Sequence, residues 1–263
     1  MDGEFLPKPP GPMRRDCYPK PSIIGVTKYE ALIFLAISGR RANQKMLAFA
    51  EDNFVRLQKL LEGKVDQTNM LSLQAFRDMY GINDMMKKDR RALGKAMVIL
   101  VSDLVNNIAT HSYCVKAAAN GVPCWRYVME QFQPAQTRLF NPLFPVFGAT
   151  HCTDLIYLFE FNFFQQIWIP RAADRKVMYM FQTYFTNFIK YGDPNISSSD
   201  EKGGFDQNLI KWDPVSTENA SRQMFFRGEP FVGDNPDAKK LDRLLGMLGY
   251  FSENLGYDIT NIQ

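Results

Sequence analysis

Gly148-Ala149-Thr150-His151-Cys152-Thr153-Asp154-Leu155-Ile156-Tyr157-Leu158-Phe159 is the stretch on which the reading of this chain turns. Three small residues and a histidine stand at the head of an apolar run that can bury itself as a helix or a packed loop. The chain has 2 histidines. Imidazole is the side chain whose ordinary pKa lies nearest neutrality, which suits it to carry protons. A histidine packed into a turn for structural reasons would show the same local pattern, so the rest of the chain has to decide.

The chain has 263 residues, enough for one large domain or two small ones. Hydrophobic content of 46% with 13% aromatic residues supplies a core and excludes a disordered composition. Its 31 basic and 28 acidic residues leave a net charge of +3, too balanced to point to nucleic acid or an acidic membrane as a partner. The densest basic run, Lys87-Lys88-Asp89-Arg90-Arg91, is interrupted by an acid and reads as a solvated helix face. Leu155 to Ile169 is the most apolar region on this reading. Glu160, Asn162, Gln165 and Gln166 interrupt it, so no membrane span is expected. Met1-Asp2-Gly3-Glu4 is acidic and followed by prolines, unlike a secretory signal.

Four cysteines, Cys17, Cys114, Cys124 and Cys152, allow three full pairings, and Cys114 with Cys124 could close a short loop between a helix end and a strand start. Two sequons, Asn195-Ile196-Ser197 and Asn219-Ala220-Ser221, lean towards the secretory pathway or an extracellular location.

Residues 1 to 21 are proline-rich and read as an irregular, exposed entry segment, as does the polar loop 196–204. Ser22 to Thr27 is rich in β-branched residues and reads as a buried strand. Glu30 lies just beyond it, before a helical run from Ala31. A carboxylate at the end of a buried strand needs a partner. Amphipathic spacing predicts helices over 44–62 and 71–80, and a longer helical pattern over about 85–119. Gly121-Val122-Pro123 breaks that pattern, and Trp125 to Met129 reads as a strand. Residues 133 to 147 read as loop. Val177, Phe181, Tyr184 and Phe188 mark a helix stopped by Gly192 and Pro194. A strand around Met224 to Arg227 and a helix opening at Asn235-Pro236 follow. Strands separated by helices indicate an α/β fold.

The acid Glu30 precedes the base His151, which is the order of the last two members of the Ser, Asp or Glu, His triad of α/β-hydrolases. No G-x-S-x-G elbow and no His-Gly-Gly motif occurs in the chain. Five segments in order resemble the C-terminal portion of the type-B carboxylesterase and cholinesterase family. Asp2-Gly3-Glu4-Phe5-Leu6-Pro7 is similar to the family's "DG-F-P" segment. Gly25-Val26-Thr27-Lys28-Tyr29-Glu30 is similar to the strand and turn presenting its acidic triad member. Gly148-Ala149-Thr150-His151, with Asp154 and Tyr157-Leu158-Phe159 behind it, resembles the turn of its catalytic histidine. Phe185-Thr186-Asn187-Phe188, ending in Gly192-Asp193-Pro194-Asn195, and Lys211-Trp212-Asp213-Pro214 resemble its late helix end and "W-P" turn. Cys152 departs from the family, which often has a small residue there.

The resemblance implies the C-terminal part of an α/β-hydrolase fold over residues 1–263, with helices packed on a few strands of an incomplete central sheet. It implies Glu30 and His151 as catalytic acid and base, a small-molecule carboxylic ester as substrate in a complete enzyme, and no cofactor or metal. The nucleophilic serine and oxyanion glycines would come from an N-terminal half. Asp154 could buttress the histidine turn, although a surface or capping role is the commoner fate of such a residue. Cys152 reads as a packed thiol, and His111 receives no role. The same fold also resembles non-catalytic adhesion modules of the neuroligin kind. A truncated product without function of its own is a third reading, since half a sheet exposes its inner edge.

Overall fold

The β-branched run forms a strand as expected, β1 (Ser22–Thr27), and it opens a four-stranded sheet with β2 (Cys124–Met129), β3 (Arg222–Phe226) and β4 (Phe231–Asp234). The structure, a computed structural model, describes residues 3–8, 13, 16–37, 44–160, 168–196 and 209–254, with side chains up to residue 248. The strand order is β1-β2-β3-β4; the first two pairings are parallel and the third antiparallel. β2 is buried at all 6 of its residues, as a parallel strand covered on both faces must be. Gly25 stands opposite Tyr127, where a Cβ would lie 2.3 Å from the tyrosine ring, so only glycine lets the two strands meet there.

Between β1 and β2 the chain makes a helical excursion. It runs through α1 (Leu32–Ile37), α2 (Gln44–Leu61), α3 (Leu73–Met79), α4 (Arg90–Ser102) and α5 (Ile108–Ala119), with a π-helical turn, Asp103–Asn107, between the last two. Ser72 caps α3 through Ala75 N (3.0 Å), and Asp89 caps α4 through Arg91 N (2.8 Å). The basic run around Asp89 is therefore a capped, mostly exposed helix start. Between β2 and β3 lie α6 (Thr153–Phe159) and α7 (Ala172–Tyr191), and α8 (Ala238–Asn254) follows β4. Gly192, at φ 74°, ends α7 and donates its N–H to Phe188 O at 2.8 Å.

Side-chain alternation along β2 divides the core. Trp125, Tyr127 and Met129 face α6 and α7, where Tyr157, Val177, Phe181 and Tyr184 are fully enclosed together with Trp212 and Phe226. Cys124 packs on the other side with Cys114 and Ala117 of α5. A second core joins Phe54, Phe76, Leu93, Met97 and Leu100 of the helical excursion to Leu241, Leu244 and Met247 of α8.

Several expectations change. β4 was not foreseen: it is four residues long and contains Gly233, so it carries little strand signal. Residues 133–147 contain two short 3-10 helices, Pro134–Thr137 and Asn141–Leu143. In the proline-rich entry Cys17 N donates to Met13 O at 3.1 Å, while the described residues 3–8 and 17–21 are otherwise irregular and mostly exposed, as expected. Most of the loop 196–204 lies outside the described residues. Among the described residues, the one run long and apolar enough by composition to cross a membrane is Arg90–Ala119; part of Leu155 to Ile169 lies outside the described residues. The Arg90–Ala119 run is a helix of the protein core: Leu93, Met97, Leu100 and Ala117 are buried, and Asp103 within it is ion-paired to Lys240 at 2.8 Å.

Candidate active site

The turn after β1 and the turn before α6 are tied together by backbone groups. Tyr29 N donates to Ala149 O at 2.9 Å, and Ile33 N donates to Thr150 Oγ1 at 2.9 Å. Gly148 lies against the ring of Tyr29, 2.5 Å from where a Cβ would stand, so the approach is available to glycine alone. Thr150 and Thr153 close the histidine turn on itself: Thr150 N donates to Thr153 Oγ1 (3.0 Å), whose hydroxyl donates to Thr150 O (2.7 Å). Cys152 takes φ 70°, an uncommon conformation for a non-glycine residue, and this turns the chain sharply from His151 into α6.

These ties bring together two residues 121 positions apart: His151 Nδ1 lies 2.8 Å from Glu30 Oε2. Glu30 is 5% exposed, and its other oxygen accepts the backbone N–H of Thr27 at 2.6 Å. Asn106 Nδ2 donates to Oε2 at 2.8 Å. These donors satisfy oxygens that burial takes out of water. His151 is half exposed, and the ring of Phe34 lies beside it, with centroids 4.9 Å apart. Its Nε2 has no hydrogen-bond partner among the described residues. The hydrogen bond to Glu30 raises the His151 pKa, against the opposing effect of partial burial.

A model of the carboxylesterase family matches residues 1–243. The chain belongs to the carboxylesterase family. Among its relatives are the esterase cest-33 of Caenorhabditis elegans, 29% identical over 196 residues, and the bile salt-activated lipase of Rattus norvegicus, 24% identical over 222 residues. These alignments cover 74% and 84% of this chain but 34% of each relative, so the chain spans about a third of the length of these relatives. The carboxylesterase EST55 of Geobacillus stearothermophilus (TM-score 0.51) and a thermophilic pNB esterase (TM-score 0.55) share the fold at 16% identity. Each covers 84% of this chain, and the chain covers 39% and 38% of theirs. The four strands and their helices are thus part of an α/β-hydrolase fold.

Within this carboxylesterase-family chain, Asp154, expected at the surface or as a cap, is partly buried in the first turn of α6, where its Oδ1 accepts the N–H of Leu155 at 3.1 Å. Its Oδ2 accepts the hydroxyl of Tyr127 at 3.0 Å beneath the site. Burial first, and then the charge of Glu30, raise its pKa although the Tyr127 hydrogen bond pulls it down. The Cys152 thiol is likewise pushed up by burial, which makes it a packed group and not an activated one. Sequence reasoning missed Asn106 and Ser102. Ser102 Oγ accepts the N–H of Ala31 at 3.0 Å and so secures the residue after Glu30. Neither carries a motif; both reach the site because the helix from Arg90 to Ala119 runs past it, and the π turn changes the facing of Asn106. Among the described residues no group of three His, Cys, Asp or Glu side chains could hold a metal ion.

Proposed function

We propose that Glu30 and His151 are the acid and the base of a Ser-Glu-His triad in a serine-dependent carboxylic ester hydrolase. The observation that carries the reading is the 2.8 Å contact from His151 Nδ1 to a buried carboxylate, on an imidazole that is half exposed and whose Nε2 has no hydrogen-bond partner among the described residues. Glu30 holds Nδ1 as the N–H donor, so Nε2 carries the lone pair. Nε2 takes the proton of a serine hydroxyl as its oxygen bonds to the ester carbonyl carbon. It then returns that proton to the departing alkoxide, leaving an acyl-serine. Water repeats the cycle: its proton goes to Nε2, its oxygen bonds to the acyl carbon, the serine oxygen leaves and takes that proton back from Nε2, and the carboxylic acid is released. The serine and the oxyanion donors belong, on this reading, to an N-terminal half of a longer protein whose C-terminal part is residues 1–263. The sequon at Asn219 supports a secretory location for it. Asn195 contributes less, because its amide is engaged with Asp193 and with Trp212 O at 3.0 Å.

An aryl-ester hydrolysis assay tests the proposal on three proteins: the isolated chain, the chain joined to a family N-terminal half bearing a G-x-S-x-G elbow, and the joined protein with His151→Ala. The expected results are no turnover, turnover, and loss of about 10³-fold or more. Robust turnover by the isolated chain, or an unaffected variant, overturns it.

A further inference from the structure

Outside the site just described, one buried cluster holds chemistry that ester hydrolysis does not use. Cys114, on the face of α5 turned to the sheet, and Cys124, the first residue of β2, bring their sulfurs to 3.7 Å. Neither residue is accessible to solvent. Two positions along β2, and so on the same face of the sheet, Arg126 is also buried, at 2% exposure. Its Nη1 donates to Nδ1 of His111 at 3.0 Å, which leaves Nε2–H of His111 to donate to Asp242 at 2.6 Å. Among the described residues the buried Nε of Arg126 has no hydrogen-bond partner, and no carboxylate lies within ion-pair distance of this guanidinium. A buried positive charge without a matching anion favours thiolate in a neighbouring sulfur. The thiol hydrogen donated by Cys124, and then Arg126, accordingly hold Cys114 low against the effect of burial.

We propose that Cys114 and Cys124 form a disulfide-forming site, oxidised by a low-molecular-weight disulfide of the glutathione class. The Cys114 thiolate attacks one sulfur of the small disulfide; a protein–small-molecule bond forms and one small thiolate leaves. The Cys124 thiolate then attacks the Cys114 sulfur and expels the second. Two protein S–H bonds and one S–S bond are exchanged for one protein S–S bond and two small thiols, with no other oxidant needed. Because both sulfurs are enclosed, exchange takes place as the chain folds or while α5 is lifted from β2, and the finished bond is shielded from reductant. The cross-link fastens the sheet's second strand to the helix that continues from the π turn holding Asn106.

The test is equilibration of the 263-residue chain in mixtures of oxidised and reduced glutathione, once in buffer and once in denaturant. Remaining thiols are alkylated after unfolding, and peptides are mapped by mass. The expected result is a chain lighter by about 2 Da, carrying a Cys114–Cys124 cross-linked peptide. In buffer this cross-link should resist reduction at least about tenfold more strongly than in denaturant, because only folding holds the sulfurs together. Cys17→Ala and Cys152→Ala, separately or together, leave this unchanged. Four alkylated cysteines in buffer, cross-links that involve Cys17 or Cys152 instead, or equal resistance in the two solvents overturns the proposal.

Discussion

Asn106 and His151 meet on a single oxygen: each has a nitrogen 2.8 Å from Glu30 Oε2. The amide can only donate there, so Asn106 holds the carboxylate in place while His151 uses the same lone-pair region. Asn106→Leu removes that donor without adding a charge. The expected cost is about 1–3 kcal/mol of stability, with faster solvent exchange of the hydrogen-bonded imidazole N–H of His151 seen by proton NMR. An unchanged exchange rate contradicts this role for Asn106.

Glu30→Gln separates charge from shape. His151 owes its raised pKa first to the hydrogen bond with Glu30, so the variant should titrate at lower pH. NMR can follow this cleanly, since the chain has 2 histidines and the other is buried. A base whose pKa is higher folded than unfolded binds protons more tightly when folded. Its stabilising contribution is therefore complete below the ordinary histidine range and fades as pH rises through the raised value. The stability gap between the native chain and Glu30→Gln should narrow in that direction in chemical denaturation at several pH values.

Titration of the proposed enzyme follows from the same group. Nε2 must be unprotonated to accept the serine proton, so kcat/KM of the joined protein should fall as pH drops through the raised His151 pKa. In Glu30→Gln the remaining activity should persist to lower pH. A pH–rate profile with the same acid limb in both proteins would count against His151 as the base.

Gly148→Ala should be costly because the added Cβ would meet the Tyr29 ring at 2.5 Å. Overpacking of this kind costs about 1–3 kcal/mol, and here it would also push the histidine turn away from the acid turn. The cause can be isolated: in a Tyr29→Ala background the same substitution should cost far less. Equal costs in the two backgrounds, measured in a double-mutant cycle, would place the effect elsewhere.

Lys240→Met tests the attachment of α8. Lys240 Nζ reaches Asp103, buried at 1% exposure, at 2.8 Å, and Tyr80 OH also donates to that carboxylate at 3.1 Å. Losing the ammonium strands a buried charge, for an expected cost of about 3–5 kcal/mol. Lys240→Met with Asp103→Asn should recover much of it, as equilibrium unfolding would show.

The elements easiest to read in the sequence were those with one dominant local signal. β1 carried β-branched residues, α7 carried an apolar stripe with Gly192 at its end, and β2 was packed with aromatics next to a glycine-proline break. The two turns were legible through resemblance, because Glu30 and His151 sit in segments of recognisable order. What could not be read was anything created by register between distant helices and turns. Asn106 has no local pattern that sends it to Glu30, and the π turn that aims it leaves no simple trace in hydrophobic periodicity. Asp154 could be read as a buttress, a cap or a surface acid, and only the fold sets Tyr127 of β2 against it. The pairing of His111 with Arg126 and Asp242 likewise depends on three elements that meet only in the fold.

The parallel ladder sets the order in which this molecule can assemble. β1 finds β2, and β2 finds β3, across about a hundred residues each, and contacts so far apart in sequence close slowly. Helices α4 and α5, by contrast, rest on local hydrogen bonds and can form early. The contact between Glu30 and His151 depends on the same ladder, since Tyr29 meets Ala149 across turns that follow β1 and β2 in the chain. The 2.8 Å meeting of His151 with Glu30 is thus a long-range product of the sheet, and nothing in either local segment could hold it alone.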